Sequence, residues 1–355
     1  MGWRICSPKA FRRAQGSGPL QHGLAPRRQR AAQTEIAMDA RVWVLDDVEP
    51  SVRAQALVAL RGRSPDDPEV RAARSASLER GCVADVLDGL AAHRDRAALW
   101  EPKYAAPYHR LLALSEMGAP GTDPRIHATL EACLDTFREP DGGFGHRKGS
   151  HLCVTGNLVR AAVAFGRLDD PRVARAIEWL VSAQRPDGGW NCFPEDPSGG
   201  TPDSWEPLAA FAALPPRRRP REAVERGVEF FLKRRLGLDD PYTPWRRIHF
   251  PHHYYYDFLV GLDLVTTLGA TGDERLAPAL ELLRSKRGPD GRWALDITHP
   301  DVDPEGDPPY KPVIEEFLAK VRRIEVEPPG VPSRWATLLA MRVLARVGGG
   351  REGTE

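Results

Sequence analysis

The chain has 355 residues, of which 41% are hydrophobic and 28% are charged, as expected for one large folded domain or two small ones. The net charge of +1 gives no indication of a nucleic-acid partner. No apolar run reaches the ~20 residues that a membrane-spanning helix needs, and the cysteines lack the spacing of a disulfide framework, so we expect a cytoplasmic protein that does not span a membrane.

The first 37 residues differ in composition from the rest of the chain. They are rich in arginine, contain no acidic residue before Glu35, and lack the apolar core of a secretory signal. We interpret 1–37 as a disordered or non-native N-terminal extension, with Met38 as an alternative start. Residues 38–95 form an N-terminal helical segment, which we expect to pack as a lid.

From residue 96 onward, two kinds of helix alternate. Polar-faced helices follow Asp-Pro pairs such as Asp123-Pro124 and Asp170-Pro171, which are typical of a helix N-terminus. More apolar helices lie between them, and their apolar residues recur at helical spacing. The polar-faced helices are predicted at 124–137, 171–184, 221–236 and 274–286. The apolar helices are predicted at 106–117, 151–165, 203–214, 252–268 and 333–347.

A loop sequence recurs between these helices. Residues 138–145 read REPDGGFG, residues 184–191 read QRPDGGWN, and a weaker copy at 287–293 reads RGPDGRW. Pro-Asp-Gly-Gly is a tight-turn sequence, because glycine adopts the positive φ that other residues resist. A repeat of this kind indicates a repeat architecture, in which the helix pair is the structural unit.

Outer and inner helices that alternate with a period of ~50 residues close into a ring or stack into an open solenoid. We expect the ring, an all-α α/α toroid over 96–348, because it buries its ends without dedicated capping repeats. A segment rich in proline and acidic residues, 296–332, is inserted before the last inner helix and contains a short helix predicted at 311–323. The final residues, 349–355, are a flexible tail.

The loops also carry a family resemblance. Residues 184–190 resemble the glutamine–tryptophan repeat of squalene–hopene and related triterpene cyclases. Residues 141–144 resemble the Asp-Gly-Gly-Phe loops of protein prenyltransferase β subunits, which share the α/α toroid. The resemblance covers about residues 95–348, and it implies a terpenoid cyclase-like or prenyltransferase-like protein that holds an apolar, isoprenoid-like molecule in its central cavity.

The motifs that define the standard activities of these families are absent from the sequence. The resemblance implies an Asp-x-Asp-Asp acid in class II cyclases, but the nearest string, Asp301-Val302-Asp303, lies in the proline-rich insert. Class I enzymes carry Asp-Asp-x-x-Asp, which Asp46-Asp47-Val48-Glu49-Pro50 does not match. The chain also has room for one helical domain, whereas triterpene cyclases have two.

A zinc site is an alternative that the resemblance raises. His151 and Cys153 follow the first loop at the distance at which prenyltransferase β subunits carry an Asp-x-Cys zinc pair, and histidine and cysteine are both zinc ligands. No histidine begins the next inner helix, so no cofactor is assigned and zinc stays an alternative. In the other interpretation, Cys153 is a small buried residue and His151 bonds to backbone.

In a toroid the N-termini of the inner helices meet at one mouth of the cavity, where positive helix ends favour anionic or electron-rich ligands. His253 and Asp257 are four residues apart and are predicted to share a helix face as an acid–base pair, with Glu206 as a further catalytic candidate. Aromatic side chains near the same mouth suit an apolar or cationic guest. The predicted substrate-binding residues are Trp205, Tyr255, Tyr256, His252, Tyr108 and Trp335. Alternatively, the three consecutive tyrosines, Tyr254, Tyr255 and Tyr256, pack between the helix layers with their hydroxyls bonded to other groups.

Three functions therefore stay open from the sequence. The first is an enzyme or binding protein for an isoprenoid-like molecule that uses His253 and Asp257. The second is a zinc-dependent transferase that uses His151 and Cys153, and the third is a non-catalytic helical scaffold. The resemblance to prenyltransferases also leaves open a second subunit or a homo-oligomer.

Overall fold

The computed structural model describes residues 40–193, 195–252, 255–297, 324 and 326–349. Within these residues the chain is helical and contains no strand. The predicted extension at 1–37, the short helix predicted in the insert, the residues after 349 and His253 lie outside them. The helices that build the fold are, in chain order, α1 (Pro50–Arg61), α2 (Pro68–Ser77), α3 (Cys82–Asp88), α4 (Arg96–Trp100), α5 (Pro107–Glu116), α6 (Pro124–Thr136), α7 (Leu152–Ala164), α8 (Pro171–Ser182), α9 (Thr201–Ala213), α10 (Arg221–Lys233), α11 (Phe258–Thr267), α12 (Ala277–Ser285) and α13 (Arg334–Gly349).

Aspartate–proline pairs start α2, α6 and α8, as the sequence predicted. The carboxylates of Asp67, Asp123 and Asp170 each accept the backbone N–H two residues further on, at 2.9, 2.8 and 2.9 Å. The proline at the first helical position has no N–H that would need a partner there. In two of these caps the side chain of Arg125 or Arg172 also bonds the capping carboxylate, so local sequence alone fixes where the helix begins.

Within the described residues, six helices form an inner ring. α5 packs on α7, α7 on α9, α9 on α11, α11 on α13, and α13 on α1. Outside this ring α2, α6, α8, α10 and α12 each pack on the inner helix that precedes them. Gly156 permits the close approach of α7 to α9, since a Cβ there would lie 2.6 Å from the backbone of Glu206. The fold is an α/α toroid, which confirms the predicted class.

Helix α1 closes the ring between α13 and α5. It packs on α13, and the Gln55 side chain donates to the carbonyl oxygen of Glu116 at the end of α5, at 2.8 Å. The expectation that residues 38–95 act as a lid is therefore wrong for α1. No Asp-Gly-Gly loop precedes this helix, so the signal that marked the other inner helices is missing. The predicted domain boundary at residue 95 stays a prediction.

A repeated contact, which we call the hydroxyl clasp, fastens each Asp-Gly-aromatic loop to the next inner helix. The fourth residue of the inner helix is a serine or threonine whose hydroxyl oxygen accepts the backbone N–H of the loop aromatic. The same hydroxyls lie 3.1–3.3 Å from the carbonyl oxygens of those aromatics. The clasps pair Thr155 with Phe144 at 2.9 Å, Ser204 with Trp190 at 2.8 Å, and Thr337 with Trp293 at 3.0 Å.

The glutamine and tryptophan of the second loop tie it to two outer helices. Trp190 is fully buried, and its indole N–H donates to the carbonyl of Leu180 in α8 at 2.8 Å. The Gln184 side chain donates to the carbonyl of Ala223 in α10 at 2.9 Å. The Leu180 carbonyl lies in the last turn of α8, where carbonyl groups lack partners within the helix, so the indole N–H satisfies it. The Gln184 bond reaches a carbonyl in the first turn of α10.

None of the described helices is both long enough and apolar enough to cross a membrane.

Candidate ligand-binding site in the central cavity

The inner ring encloses a cavity of about 580 Å³. Small-molecule sites typically have volumes of about 300–1,000 Å³, so this cavity has room for a ligand. All six inner helices contribute side chains to its wall, together with the segment before α11. The aromatic and polar residues of the wall that the following paragraphs describe are Glu116, Arg160, Trp205, Phe250, His252, Asp263, Trp335, Arg342 and Arg346.

Trp205, Phe250 and Trp335 form an aromatic wall of the cavity. The Phe250 and Trp335 rings stack with their centres 4.5 Å apart and their planes 12° apart. The guanidinium carbon of Arg160 lies 5.0 Å from the centre of the Trp205 ring. The indole nitrogen of Trp205 has no hydrogen-bond partner among the described residues. Such a wall can bury an apolar chain and attract a cationic centre through the ring faces.

A buried histidine–carboxylate cluster lies just before α11. Asp257 Oδ2 is 2.7 Å from His249 Nδ1, and both side chains are fully buried. The same oxygen is 4.0 Å from His252 Nε2. Asp257 Oδ1 accepts the backbone N–H of Val260 at 2.8 Å, so this carboxylate caps α11. The helix therefore begins at Phe258, later than the predicted start at residue 252.

Glu116 and Arg160 extend this cluster along the cavity wall. Glu116 Oε2 accepts the backbone N–H of His252 at 2.8 Å and lies 3.7 Å from its Nδ1 atom. Its other oxygen is 2.8 Å from an Arg160 nitrogen. His252 is thus flanked by two carboxylates, Glu116 and Asp257, and Arg160 balances one of them.

The environment sets the charge of these groups. Burial lowers the pKa of His252 to about 4, although Glu116 and Asp257 act in the opposite direction. Burial opposes the charged form of Asp257, yet the charge of His249 and its hydrogen bond hold the pKa of this carboxyl below its ordinary value. Near neutral pH the site therefore presents a neutral imidazole to the cavity with an ionised carboxylate behind it.

The predicted site residues divide into those on the cavity wall and those behind it. Trp205, His252 and Trp335 lie on the wall. Among the described residues, the wall does not include Tyr108 or Tyr256. Tyr256 donates its hydroxyl to the carbonyl of Leu236 at 2.9 Å, and Tyr108 packs against the rings of Trp100 and Phe137 at 5.2 and 5.5 Å. Both tyrosines are buried behind the wall, and the substrate-binding role predicted for them stays a prediction.

Tyr255 and Asp257 also lie off the wall among the described residues. Tyr255 is half-buried, with its ring centre 6.2 Å from that of His249. His253, the proposed acid–base partner of Asp257, lies outside the described residues. The role predicted for that pair, and for Tyr255 in substrate binding, stays a prediction.

Glu206 lies in a thiol–carboxyl cluster between α7 and α9. Its side chain is buried, and one of its carboxyl oxygens has no hydrogen-bond partner among the described residues. Burial, followed by Cys153 and Asp203, raises the pKa of this carboxyl well above its ordinary value. The free thiols of Cys192 and Cys153 are hydrogen-bonded to each other, and this contact together with burial raises the pKa of the Cys192 thiol.

The zinc alternative places a metal at His151 and Cys153. The ring centres of His151 and His146 are 4.7 Å apart, and His151 Nε2 lies 3.4 Å from an Arg147 nitrogen. Cys153 instead contacts Cys192. Nowhere in the described ranges do three or more His, Cys, Asp or Glu side chains form a group that could hold a metal ion. Because His151 and Cys153 have different partners, these described residues do not fit a zinc site.

Sequence reasoning missed several polar residues of the site: His249, Glu116, Arg160, Asp263, Arg342 and Arg346. His249 lies in an irregular segment, where spacing gives no information about contacts. The other five are charged residues on mostly apolar helices. A charge on an otherwise apolar inner helix is the one signal that could have indicated them, because such a charge must be paired when buried.

Comparison with known proteins finds sequence similarity to terpenoid cyclases over part of the chain. No protein-family model matches the chain. It is 28% identical over 149 residues to a type B diterpene cyclase of Mycobacterium tuberculosis, covering 42% of this chain and 26% of the relative. It is 29% identical over 155 residues to a squalene–hopene cyclase of Bradyrhizobium diazoefficiens, covering 39% of this chain and 23% of the relative. These similarities confirm the predicted resemblance to terpenoid cyclases, and the matches span about a quarter of the length of each relative.

Two solved structures align with most of the chain. A protein from Actinoplanes has a TM-score of 0.45 and 16% identity, covering 89% of this chain and 99% of that one. The type II terpene cyclase MstE from Scytonema, in its apo form, has a TM-score of 0.31 and 16% identity, covering 77% of this chain and 98% of that one.

Proposed function

We propose that the protein binds an apolar, isoprenoid-like molecule in the central cavity and transforms it by proton transfer, in an isomerisation or a cyclisation. The observation that carries this proposal is the 580 Å³ cavity whose wall combines three aromatic side chains with His252. Similarity to a diterpene cyclase and a squalene–hopene cyclase supports the class of ligand. The reaction uses neither the Asp-x-Asp-Asp acid nor the Asp-Asp-x-x-Asp magnesium motif.

His252 is the group that exchanges a proton with the ligand. It faces the cavity, and its pKa of about 4 leaves the imidazole neutral and ready to accept a proton. The imidazolium that forms lies 4.0 Å from the Asp257 carboxylate, which stabilises it. Because its pKa is low, the imidazolium is a stronger acid than free imidazolium, which favours transfer of its proton to an alkene carbon of the ligand. Trp205, Phe250 and Trp335 stabilise the resulting cationic carbon through their ring faces, and the neutral imidazole left behind removes a proton from a neighbouring carbon.

The test is to incubate the full chain with polyprenyl diphosphates, alcohols and acids in heavy water and analyse the products by mass spectrometry. Turnover with deuterium incorporation is expected for the wild type. The His252→Gln variant keeps the backbone N–H that bonds Glu116, so we expect it to bind ligand and to lose turnover by about 10²-fold or more.

His127→Gln is the matched control, because His127 is exposed on α6 and should keep full turnover. Glu206→Gln tests the other candidate acid, whose pKa is raised by burial well above its ordinary value. If Glu206→Gln loses turnover and His252→Gln keeps it, Glu206 and not His252 transfers the proton, and the proposed role of His252 is wrong. If no isoprenoid raises the melting temperature of the wild type, the proposal fails altogether.

No specific observation favours the zinc-dependent transferase or the non-catalytic scaffold over this proposal. The cytoplasmic location and the second subunit or homo-oligomer stay predictions from the sequence.

A further inference from the structure

The cavity wall also carries a pair of arginines that the proton-transfer chemistry does not use. Arg342 and Arg346 lie four residues apart on α13, so they share one face of the helix. Both bind Asp263 of α11. Arg342 Nη2 is 2.6 Å from Oδ2, while Arg342 Nε and Arg346 Nη1 are each 2.8 Å from Oδ1. All three residues line the cavity.

Some N–H donors of the two arginines have no acceptor among the described residues. Each guanidinium offers five N–H groups in a rigid fork. Among the described residues, Arg342 bonds through Nε and Nη2, and Arg346 bonds through Nη1 alone. Within that part of the chain, Arg342 Nη1 and Arg346 Nε and Nη2 therefore have no protein partner, and both side chains line the cavity.

The charges of the cluster do not balance. Two guanidinium groups and one carboxylate leave a net charge of +1, since +2 − 1 = +1. Burial raises the pKa of Asp263, but the charges and hydrogen bonds of the two arginines lower it further and hold it below its ordinary value, so the carboxylate stays ionised. Had the cluster only to neutralise Asp263, a single arginine would suffice. A bridging carboxylate that fixes two guanidinium groups side by side is the geometry of a preorganised oxyanion receptor.

The other charged residues on the cavity wall do not cancel this excess. Glu116 is paired with Arg160, and Arg74 adds another positive charge. Within the described residues the wall thus has an apolar, aromatic part and a cationic part. A ligand that matches both parts carries an apolar chain and an anionic group.

We infer that Arg342 and Arg346 bind the oxyanion head group, a diphosphate or a carboxylate, of an apolar ligand in the central cavity. The inference rests on the proposed function and narrows its substrate class from any isoprenoid-like molecule to one with an oxyanion terminus. Asp263 acts as a positioning residue, which holds the two guanidinium groups in place and does not touch the ligand.

Isothermal titration of the full chain with farnesyl diphosphate, farnesoate, farnesol and inorganic pyrophosphate tests the inference. The wild type is expected to bind one of the two anionic isoprenoids at least about tenfold more tightly than farnesol, as two charge-assisted hydrogen bonds allow. A preference for the diphosphate or for farnesoate identifies the head group, and pyrophosphate reports binding to the arginines without the chain.

Three variants separate ligand binding from folding. The triple variant Asp263→Asn/Arg342→Gln/Arg346→Gln replaces the charged cluster with neutral amides and leaves no unpaired charge in it. It should therefore fold and bind farnesol normally but lose the preference for anionic isoprenoids over farnesol. Asp263→Asn alone should weaken that preference less than the triple variant does, because both arginines remain but the neutral amide no longer fixes them side by side. Arg221→Gln is the matched control, since Arg221 is 90% exposed and pairs with Glu225 on the surface.

The outcomes distinguish this inference from the proposed function. Equal affinity of the wild type for farnesol and for both anions overturns the inference and leaves the proposed function standing. A triple variant that folds and keeps the anionic preference also overturns it. Failure of every isoprenoid, farnesol included, overturns the proposed function itself.

Discussion

The tryptophan of the second repeat loop offers a direct measure of what the loop contributes to stability. Trp190→Phe removes the indole N–H that donates to the Leu180 carbonyl at 2.8 Å, in a fully buried position. A buried carbonyl left without its donor costs about 1–3 kcal/mol, and the smaller ring leaves a gap that costs about 1 kcal/mol more. The expected loss of unfolding free energy is about 2–4 kcal/mol.

Urea denaturation followed by circular dichroism measures this loss, since a lower midpoint with an unchanged slope reports lower stability. Trp293→Phe should cost a similar amount, because its indole donates to the Leu283 carbonyl at 2.7 Å in an equally buried position. Trp179→Phe is the contrast, since that half-buried ring donates to the exposed carboxylate of Asp141. Equal costs for Trp190→Phe and Trp179→Phe would refute the reasoning.

Two further predictions concern pH and backbone. The pKa of His252 is about 4 in the folded chain, against an ordinary value of 6.5 for a histidine exposed to water, so the unfolded state binds more protons between pH 4 and pH 6.5. The free energy of unfolding should therefore fall by up to about 3 kcal/mol as pH drops from 6.5 to 4. His252→Gln should flatten that pH dependence. If the variant's stability depends on pH as steeply as that of the wild type, His252 is not the group responsible. Gly188 and Gly269 both have positive φ, at 92° and 103°, but only at Gly188 would a Cβ meet backbone, 2.4 Å from the Arg226 oxygen. Thermal or urea melts should show Gly188→Ala to be about 1–3 kcal/mol more destabilising than Gly269→Ala, and similar costs would exclude the clash as the cause.

The parts of the fold that local chemistry determines could be predicted from the sequence. The caps at Asp123 and Asp170 depend on a carboxylate and a proline within three residues, so their sequence is sufficient evidence. The Asp-Gly-Gly loops are predictable for the same reason, because Gly142 and Gly188 supply the positive φ of the turn.

Contacts between distant segments could not be predicted in this way. Helix α1 belongs to the inner ring because of α13, which follows it by more than 270 residues, and no motif marks that pairing. Asp257 was predicted to lie within the helix, but it caps α11 and pairs with His249. The cap competes with helix formation at residues 255–257, and spacing alone does not reveal which of the two wins.

The hydroxyl clasp has a consequence for how the chain can change in length. Its two partners are separated by 11 residues at Phe144 and Thr155, by 14 at Trp190 and Ser204, and by 44 at Trp293 and Thr337, yet the contact is the same. The clasp holds the two ends of the intervening sequence together whatever its length. We therefore expect these three intervals to accept an inserted peptide at lower cost than the helices do.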